Sequence, residues 1–560
     1  MKIAICQMNP TIGAIKNNAK KILLFANRAS KMGADLILTS ELVICGYPSK
    51  DILLRDEFIN KIESYLVIIA KKSQVPIIVG APIKTNKLQG YPLWNAAVYC
   101  HDSNIKVIAC KTLLPNYNVF SEERYFEQNT KDNISNIFKL NSVIFGITIC
   151  EDAWNNSNFY FSKYYKQDPI MDIINQGASV ILNLSASPFS TGKPKFRKKM
   201  FMNIAKKYKI SVIVAGQVGA NDQLIFDGSS LAVNSFGDIV LELSMFNEDL
   251  AIVDINNMSK LTPVNSKKKC VNISKFEIIE NALVCGIRDY VSKSYIKGLV
   301  LGISGGLDSS LVATLAVKAI GNKKVLGVKM PSCFSSKNSL IDANKLVDSL
   351  SISSVTIPIE SYVNNFRKIV NSMNFNSTKY SRDICDQNLQ ARVRANILMM
   401  ISNLTSYILL NTSNKSELAM GYTTIYGDMC GTLSPIGDLY KTDAYLLAYE
   451  INKYKKIIPY NILTKPPSAE LKENQTDQDF LPKYKLLDNI LKLYIDLDIS
   501  MIEISKRLKI SLIDIKKIVY MVNKNEHKRR QAPICLMISE KVFEISRRWP
   551  VVASFNRNNL

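Results

Sequence analysis

The stretch Leu299–Gly321, LVLGISGGLDSSLVATLAVKAIG, decides the fold of the second half of this chain. A short apolar run enters a glycine-rich turn, and an Asp-Ser-Ser leads into apolar residues at helical spacing, which predicts a strand, a tight turn and a helix. Glycines reach positive φ at no steric cost. Successive backbone N–H groups can then form a nest for an anion at the N-terminus of the helix, where the helix dipole adds to the attraction. The loop is built for phosphate, yet the lysine of a Walker loop is missing after the glycines. Neutralising charge must therefore come from a metal and from basic residues elsewhere in the chain, and Asp308 is the candidate metal ligand.

Outward from this stretch, KVLGVKMPS reads as the next strand and the C-terminal third, from about Asp386, as chiefly helical with loops. Strands alternating with helices predict a doubly wound parallel α/β sheet. Residues 1–257 carry a second series of short apolar runs (IAIC, LIL, IIVG, VIFGITIC, SVILNLS, SVIVAG) between polar or amphipathic stretches, again an α/β pattern. Residues 258–275, MSKLTPVNSKKKCVNISK, are polar and basic and read as a linker, leaving 276–560 as the second domain.

Composition excludes several classes of function. In 560 residues no apolar run approaches the ~18 that a membrane helix needs, and MKIAICQMNP reads as a first strand rather than a signal peptide. Eleven cysteines without a C-x-x-C pair argue for a reducing, cytoplasmic setting. Only His101 and His527 are present, which nearly excludes His-rich metal sites. The net charge of +23 would suit nucleic acid, but the lysines are dispersed, whereas the footprint of nucleic-acid binding is clustering. We expect no nucleic-acid partner and no membrane partner.

The segment Ser304-Gly305-Gly306-Leu307-Asp308-Ser309 resembles the SGG-x-DS loop of the pyrophosphatase-type ATP-binding proteins, which cut ATP into AMP and pyrophosphate. Four further segments, DQNLQARVRANILMMISN, LLNTSNKSELAMGYTTIYGDMCG, PPSAELKENQTDQDFLPKY and EHKRRQAP, narrow the resemblance to the NAD synthetase family. That family adenylates the nicotinate carboxylate of deamido-NAD, and ammonia then displaces AMP. By motif position the resemblance implies ATP contacts from Gly302, Ile303, Ser304, Gly305, Gly306, Leu307, Asp308, Ser309 and Thr412. It implies deamido-NAD contacts from Asn388, Glu417, Tyr422, Thr423, Thr424, Ile425 and Lys528, and a Mg2+ held by Asp308 and Glu417. A hard cation bridging phosphates wants one or two carboxylates with water, which suits that pair. Two positions depart from the family pattern: Ser413 stands where glycine is usual and Gln387 where glutamate is common.

Ammonia is scarce at neutral pH, and the N-terminal half carries the means to release it. GITICEDAW is an apolar strand ending in Cys150; LILTSELVICGYPSKDILL places Glu41 just past another strand, and KTLLPNYNVFSEERYF places Lys111 after a third. A thiol becomes a strong nucleophile when a base or a positive field favours its thiolate, and with so few histidines that base should be a carboxylate. These segments resemble the nitrilase (carbon–nitrogen hydrolase) family, whose Glu-Lys-Cys constellation implies an α-β-β-α sandwich. In it Glu41 is the base, Cys150 the nucleophile, and Lys111, with the backbone N–H after Cys150, the support of the oxyanion. Tyr117, Ser187 and Lys193 match positions that hold glutamine, Lys193 replacing an arginine common there; Glu122 and Asp152 are candidates for support around them. The pairing of the two domains is that of the glutamine-dependent NAD synthetase family, which implies homo-oligomers and the substrates ATP, deamido-NAD and glutamine.

Two other classes bear comparison. An RNA-modifying enzyme with the same loop should carry an RNA-binding appendix or paired catalytic cysteines, and neither is found. A non-catalytic interaction protein is expected to have lost some of Glu41, Lys111, Cys150, Asp308 and Glu417, and all five are present. A ligase that places ammonia on a different carboxylate stays open at this level.

Overall fold

The computed structural model describes residues 1–85, 89–130, 134–155, 165–257, 260–264, 273–373 and 378–554. The chain divides into two compact units, Met1–Asn272 and Ile273–Leu560.

The first unit is built on two sheets. One contains β1 (Lys2–Gln7), β2 (Leu36–Leu38), β3 (Ile77–Lys84), β4 (Leu93–His101) and β5 (Asn104–Cys110). The other contains β6 (Ile137–Leu140), β7 (Val143–Ile149), β8 (Val180–Ser185) and β9 (Ser211–Gly216). A hairpin of β10 (Val218–Asn221) and β11 (Leu224–Asp227) follows, then β12 (Leu231–Val233) and β13 (Ile239–Glu242) join the second sheet, and β14 (Asp249–Asn257) and β15 (Lys260–Val264) return to the first. The orders are β15-β14-β1-β2-β3-β4-β5 and β13-β12-β9-β8-β7-β6. Each sheet has a parallel centre, β1-β2-β3 in one and β7-β8-β9 in the other. Apolar side chains of both sheets, among them Ile3, Leu36 and Ile78 from the first and Ile147, Leu182 and Ile213 from the second, form one shared core. Helices Ile15–Lys31 and Asp56–Lys72 pack on the first sheet, and Pro169–Asn175 and Lys193–Tyr208 on the second. The result is the α-β-β-α sandwich, and the six apolar runs read as strands are β1, β2, β3, β7, β8 and β9.

The stretch expected to link the domains contributes a strand of its own. β15 pairs antiparallel with β14 across Ile252–Val264 at the edge of the first sheet, where a proline is tolerated; residues 258–259 and 265–272 lie outside the described residues.

In the second unit β16 (Leu299–Gly302), β17 (Val325–Lys329), β18 (Ser353–Thr356) and β19 (Ile408–Leu409) form a fully parallel sheet in the order β18-β17-β16-β19. The order reverses between β16 and β19, so the loops leaving those two strands flank the topological switch point where doubly wound sheets bind ligands. From Lys379 onward the unit is chiefly helical, and helices Lys415–Met420, Tyr484–Leu491 and Leu512–Lys524 share an apolar core. Among the described residues no helix is long and apolar enough to cross a membrane, and every cysteine is a free thiol.

Candidate active site

In the first unit three strand ends deliver three side chains to one buried point. Glu41 follows β2 in a turn pressed so closely on β3 that a Cβ on Gly80 would lie 2.4 Å from the Ser40 carbonyl oxygen. Lys111 follows β5, its N–H bonded to the Asn95 carbonyl at 2.8 Å. Cys150 follows β7 with φ of 42° and opens a short 3-10 turn, Cys150–Ala153. A non-glycine residue at positive φ is uncommon, and such strain collects at functional sites.

Lys111 and Glu41 form an ion pair at 2.7 Å, and both side chains are at most 1% exposed. Glu41 is fixed further by Asn95 Nδ2 at 2.7 Å on Oε1 and by the Ala186 N–H at 3.0 Å on Oε2. Lys111 also donates to Glu122 Oε1 at 2.8 Å, and the Tyr47 hydroxyl donates to the same oxygen at 2.8 Å. Burial opposes the charge on Lys111, but Glu122 and Glu41 outweigh it and hold its ammonium above the usual lysine range. Burial pushes Glu122 up to about 7, against the pull of Lys111. The Cys150 thiol is pushed up to about 12, first by burial and then by Glu41, with Lys111 acting in the opposite direction. At neutral pH the thiol is protonated and needs a base, and Glu41 is the carboxylate whose charge it feels most.

Asp152 joins the lysine loop to the cysteine turn. Its Oδ1 accepts from the N–H groups of Thr112 at 3.0 Å and Leu113 at 2.8 Å, and its Oδ2 from the Ile149 N–H at 2.9 Å. Glu122 therefore borders the Lys111 ammonium, and Asp152 the backbone that carries it.

Of the residues matched to glutamine, Tyr117 and Lys193 converge on Glu151, the residue after the cysteine. The Tyr117 hydroxyl donates to Glu151 Oε1 at 2.8 Å, and Tyr165 donates to the same oxygen at 3.1 Å. Lys193 acts electrostatically on Glu151 and holds Nζ 5.3 Å from the centroid of the Trp154 ring. Ser187 is buried two residues beyond the strand end of β8. A buried carboxylate facing a lysine, with an aromatic wall, can grip the two charged ends of an amino acid.

In the second unit Gly302 ends β16, Ile303 to Gly306 form the turn, and Leu307, Asp308 and Ser309 open helix Leu307–Ile320. Gly305 has φ of 76°, and a Cβ there would lie 2.2 Å from the Ser339 carbonyl oxygen, so only glycine fits. Ser309 Oγ accepts from the Ser304 N–H at 3.3 Å, and Ser304 Oγ accepts from the Gly306 N–H at 3.1 Å. The turn is thus fixed by its own serines.

Asp308 and Glu417, 109 positions apart in the chain, are joined through Lys441, whose Nζ lies 2.5 Å from Asp308 Oδ2 and 3.3 Å from Glu417 Oε1. Burial pushes Glu417 up to about 8, opposed by Lys441 and reinforced by Asp308 and Asp477. Among the described residues no three His, Cys, Asp or Glu groups assemble as a metal cage. Magnesium keeps waters and phosphate oxygens and takes only one or two carboxylates. Asp308 Oδ1 is buried without a hydrogen-bond partner, which fits such a cation.

Asn388, Tyr422, Thr423, Thr424, Ile425 and Lys528 come together around the turn after helix Lys415–Met420. Thr424 Oγ1 donates to Asn388 Oδ1 at 2.7 Å, and Ile425 accepts at its carbonyl from Arg392 Nε at 3.2 Å. Lys528 Nζ donates to the carbonyls of Gly421 at 2.7 Å and Thr423 at 2.8 Å, leaving one of its three donors for a ligand. The Tyr422 hydroxyl and Thr423 Oγ1 are buried without partners. Asp428, a buried carboxyl pushed up to about 6 by burial, fixes the turn by accepting from the Thr424 N–H. Thr412 lies half-buried in the loop after β19, at the switch point. Its neighbour Ser413 is accommodated without glycine, its N–H bonding Asn411 Oδ1 at 2.9 Å, and Gln387 accepts from Gln475 at 3.3 Å.

The comparisons with known proteins agree with both halves of this picture. The carbon-nitrogen hydrolase family matches residues 2–263 and the NAD synthase family residues 279–532. The chain is 42% identical over 559 residues to the glutamine-dependent NAD(+) synthetase of Synechocystis sp., covering 99% of each chain, and 35% identical to that of Thermotoga maritima, again covering 99% of each. A solved structure of the Acinetobacter baumannii glutamine-dependent NAD+ synthetase, in complex with adenosine diphosphate, is 33% identical with a TM-score of 0.76 and 98% of each chain covered. With a nitrilase-type sandwich leading, a pyrophosphatase-type loop following, and likeness along almost its entire length, this chain belongs to the family of glutamine-dependent NAD(+) synthetases.

Proposed function

We propose that the chain converts deamido-NAD to NAD, using ATP and glutamine and releasing AMP, pyrophosphate and glutamate. The observation that supports this is that one chain gathers two buried clusters of the side chains such a reaction needs: Glu41, Lys111 and Cys150 with Asp152 and Glu122, and the Ser304–Ser309 turn with Asp308, Lys441 and Glu417. The adenosine diphosphate bound by the Acinetobacter relative supports ATP as the nucleotide.

In the first unit Glu41 takes the Cys150 thiol proton and the sulfur attacks the side-chain amide carbon of glutamine. The tetrahedral oxyanion is supported by the Lys111 ammonium and the backbone N–H after Cys150, donors fixed before reaction begins. The C–N bond breaks as Glu41 returns its proton to the leaving nitrogen, ammonia departs, and water hydrolyses the thioester to glutamate. Tyr117, Glu151, Ser187 and Lys193 hold the amino-acid end of the substrate.

In the second unit a nicotinate carboxylate oxygen attacks the α-phosphorus of ATP and pyrophosphate leaves, its charge received by the amides from Gly302 to Ser309 at the helix N-terminus. Thr412 completes the ATP contacts. Ammonia then attacks the adenylated carbonyl carbon, and AMP departs. Asn388, Tyr422 to Ile425 and Lys528 hold the dinucleotide. Asp308 and Glu417 would hold Mg2+, which when bound neutralises phosphate charge. The chain acts in the cytoplasm as a homo-oligomer, with small molecules rather than nucleic acid or membrane as its partners.

The test is AMP release from ATP, with glutamine and deamido-NAD compared against other carboxylate acceptors and RNA. One AMP per NAD, seen only with deamido-NAD, is expected. Release driven by a different carboxylate or by RNA would contradict the reading.

A further inference from the structure

Lys441 reaches both carboxylates assigned to the metal, and it is itself almost inaccessible, at 4% exposure of its side chain. It opens helix Lys441–Asn452, and its backbone N–H donates to Ser416 Oγ at 3.0 Å. Ser416 donates in turn to Asp488 Oδ1 at 2.6 Å, and the Thr442 N–H bonds the other oxygen of Asp488 at 2.8 Å. The backbone of Lys441 is therefore pinned beside Glu417, and freedom to move belongs to its four-carbon stem. Below the ammonium lies the Tyr484 ring, 5.4 Å from Nζ to centroid, with the Tyr484 hydroxyl bonded to Asp477 Oδ2 at 2.7 Å. A cation already stands between Asp308 and Glu417, and it belongs to the protein.

We propose that Lys441 is a positioning residue that makes metal entry depend on nucleotide. In the nucleotide-free chain its ammonium holds the place of the divalent cation between Asp308 and Glu417. It yields that place only when phosphate oxygens offer it a new partner. The inference rests on the reading of Asp308 and Glu417 as the metal pair. A buried ammonium cannot leave two carboxylates for an apolar surrounding without a large desolvation penalty. Magnesium, which sheds water reluctantly, gains little from two carboxylates already engaged. A triphosphate on the glycine turn changes both sides of the exchange, because its oxygens complete the shell of the divalent cation and give the displaced ammonium anionic partners. Lysine suits this task because its charge is compact and its stem flexible. The partnerless Oδ1 of Asp308 is the acceptor that only the second arrangement satisfies.

The test is Mn2+ binding to the full chain, followed by electron paramagnetic resonance of the free ion, with and without α,β-methylene-ATP. Without nucleotide, Lys441→Gln should bind Mn2+ more than about tenfold more tightly than wild type, since a like charge at contact distance is gone. Lys441→Arg should resemble wild type, and Lys441→Gln combined with Asp308→Asn should lose the gain. Wild type binding Mn2+ without nucleotide as tightly as Lys441→Gln overturns the inference. The wild-type arms suffice if Lys441→Gln does not fold, because equal Mn2+ affinity with and without nucleotide overturns it as well. An Asp308→Asn chain that keeps the nucleotide-dependent Mn2+ site would instead defeat the underlying metal-pair reading.

Discussion

The Nζ of Lys111 lies 2.7 Å from Oε1 of Glu41, although 70 positions separate the two residues, and neither side chain is open to solvent. Two groups so deprived of water need each other, and Glu122 at 2.7 Å from the same ammonium makes the lysine the hinge of the cluster. Lys111→Met would leave two carboxylates facing one another in a dry interior. Breaking a buried ion pair from one side costs about 3–5 kcal/mol. The variant should lose glutamine-dependent activity and also melt at a lower temperature, and unchanged melting in a thermal scan would contradict the arrangement.

Asp152→Asn probes the tie between the lysine loop and the cysteine turn. Its two oxygens accept from three backbone N–H groups, and an amide must turn its own NH2 towards at least one of those donors. An unsatisfied buried donor costs about 1–3 kcal/mol. The variant should be slower with glutamine, because Lys111 and Cys150 lose their common anchor, while NAD formation from ammonium stays at the wild-type rate. An equal loss with both nitrogen sources would show that Asp152 serves the fold as a whole.

Asp308→Asn addresses the other centre. Adenylation should be abolished with glutamine and with ammonium alike, since the charge on the leaving pyrophosphate loses its counter-ion. The measurement is AMP formation with either nitrogen source, and near-normal AMP would remove Asp308 from the metal site.

Stability should carry a pH signature from Glu544. Burial pushes its carboxyl up to about 7 from the ordinary 4.5, with Arg530 opposing and Glu526 reinforcing, and its Oε1 is buried without a partner. The folded chain holds this proton more tightly than the unfolded chain, so the stabilising contribution is full below about pH 4.5 and is lost as pH rises through about 7. Glu544→Gln stays neutral throughout. It should melt with wild type at pH 4.5 and above wild type at pH 8 in calorimetric scans. A melting difference that does not change with pH would contradict this.

Much of the site was legible because its chemistry sits at strand ends, where short apolar runs point to it. Glu41 after LIL, Cys150 after VIFGITI and the glycine turn after LVLG are each announced by local pattern. What escaped the sequence lies in partners chosen by tertiary structure. Lys441 is 133 positions from Asp308 in a chain rich in dispersed lysines, and nothing local distinguishes it. Asn95, inside β4, and the Ala186 N–H, just past β8, fix Glu41 but carry no local signal of doing so. Glu151 stands beside the cysteine, but its partners, the Tyr117 and Tyr165 hydroxyls, come from other parts of the chain and are visible only in the fold. β15 was hidden by the basic, proline-containing composition of its surroundings, since an edge strand tolerates proline and needs only one neighbour.

The central claim is that the two units divide the work, one releasing ammonia and the other fixing it, and Cys150→Ala tests it most directly. The measurement is NAD yield from deamido-NAD and ATP, with glutamine and with ammonium salt in parallel. Loss of a covalent nucleophile removes several orders of magnitude in rate. The variant should therefore be inactive with glutamine and equal to wild type with ammonium. A folded Cys150→Ala chain that is inactive with both nitrogen sources, or fully active with glutamine, would contradict the account.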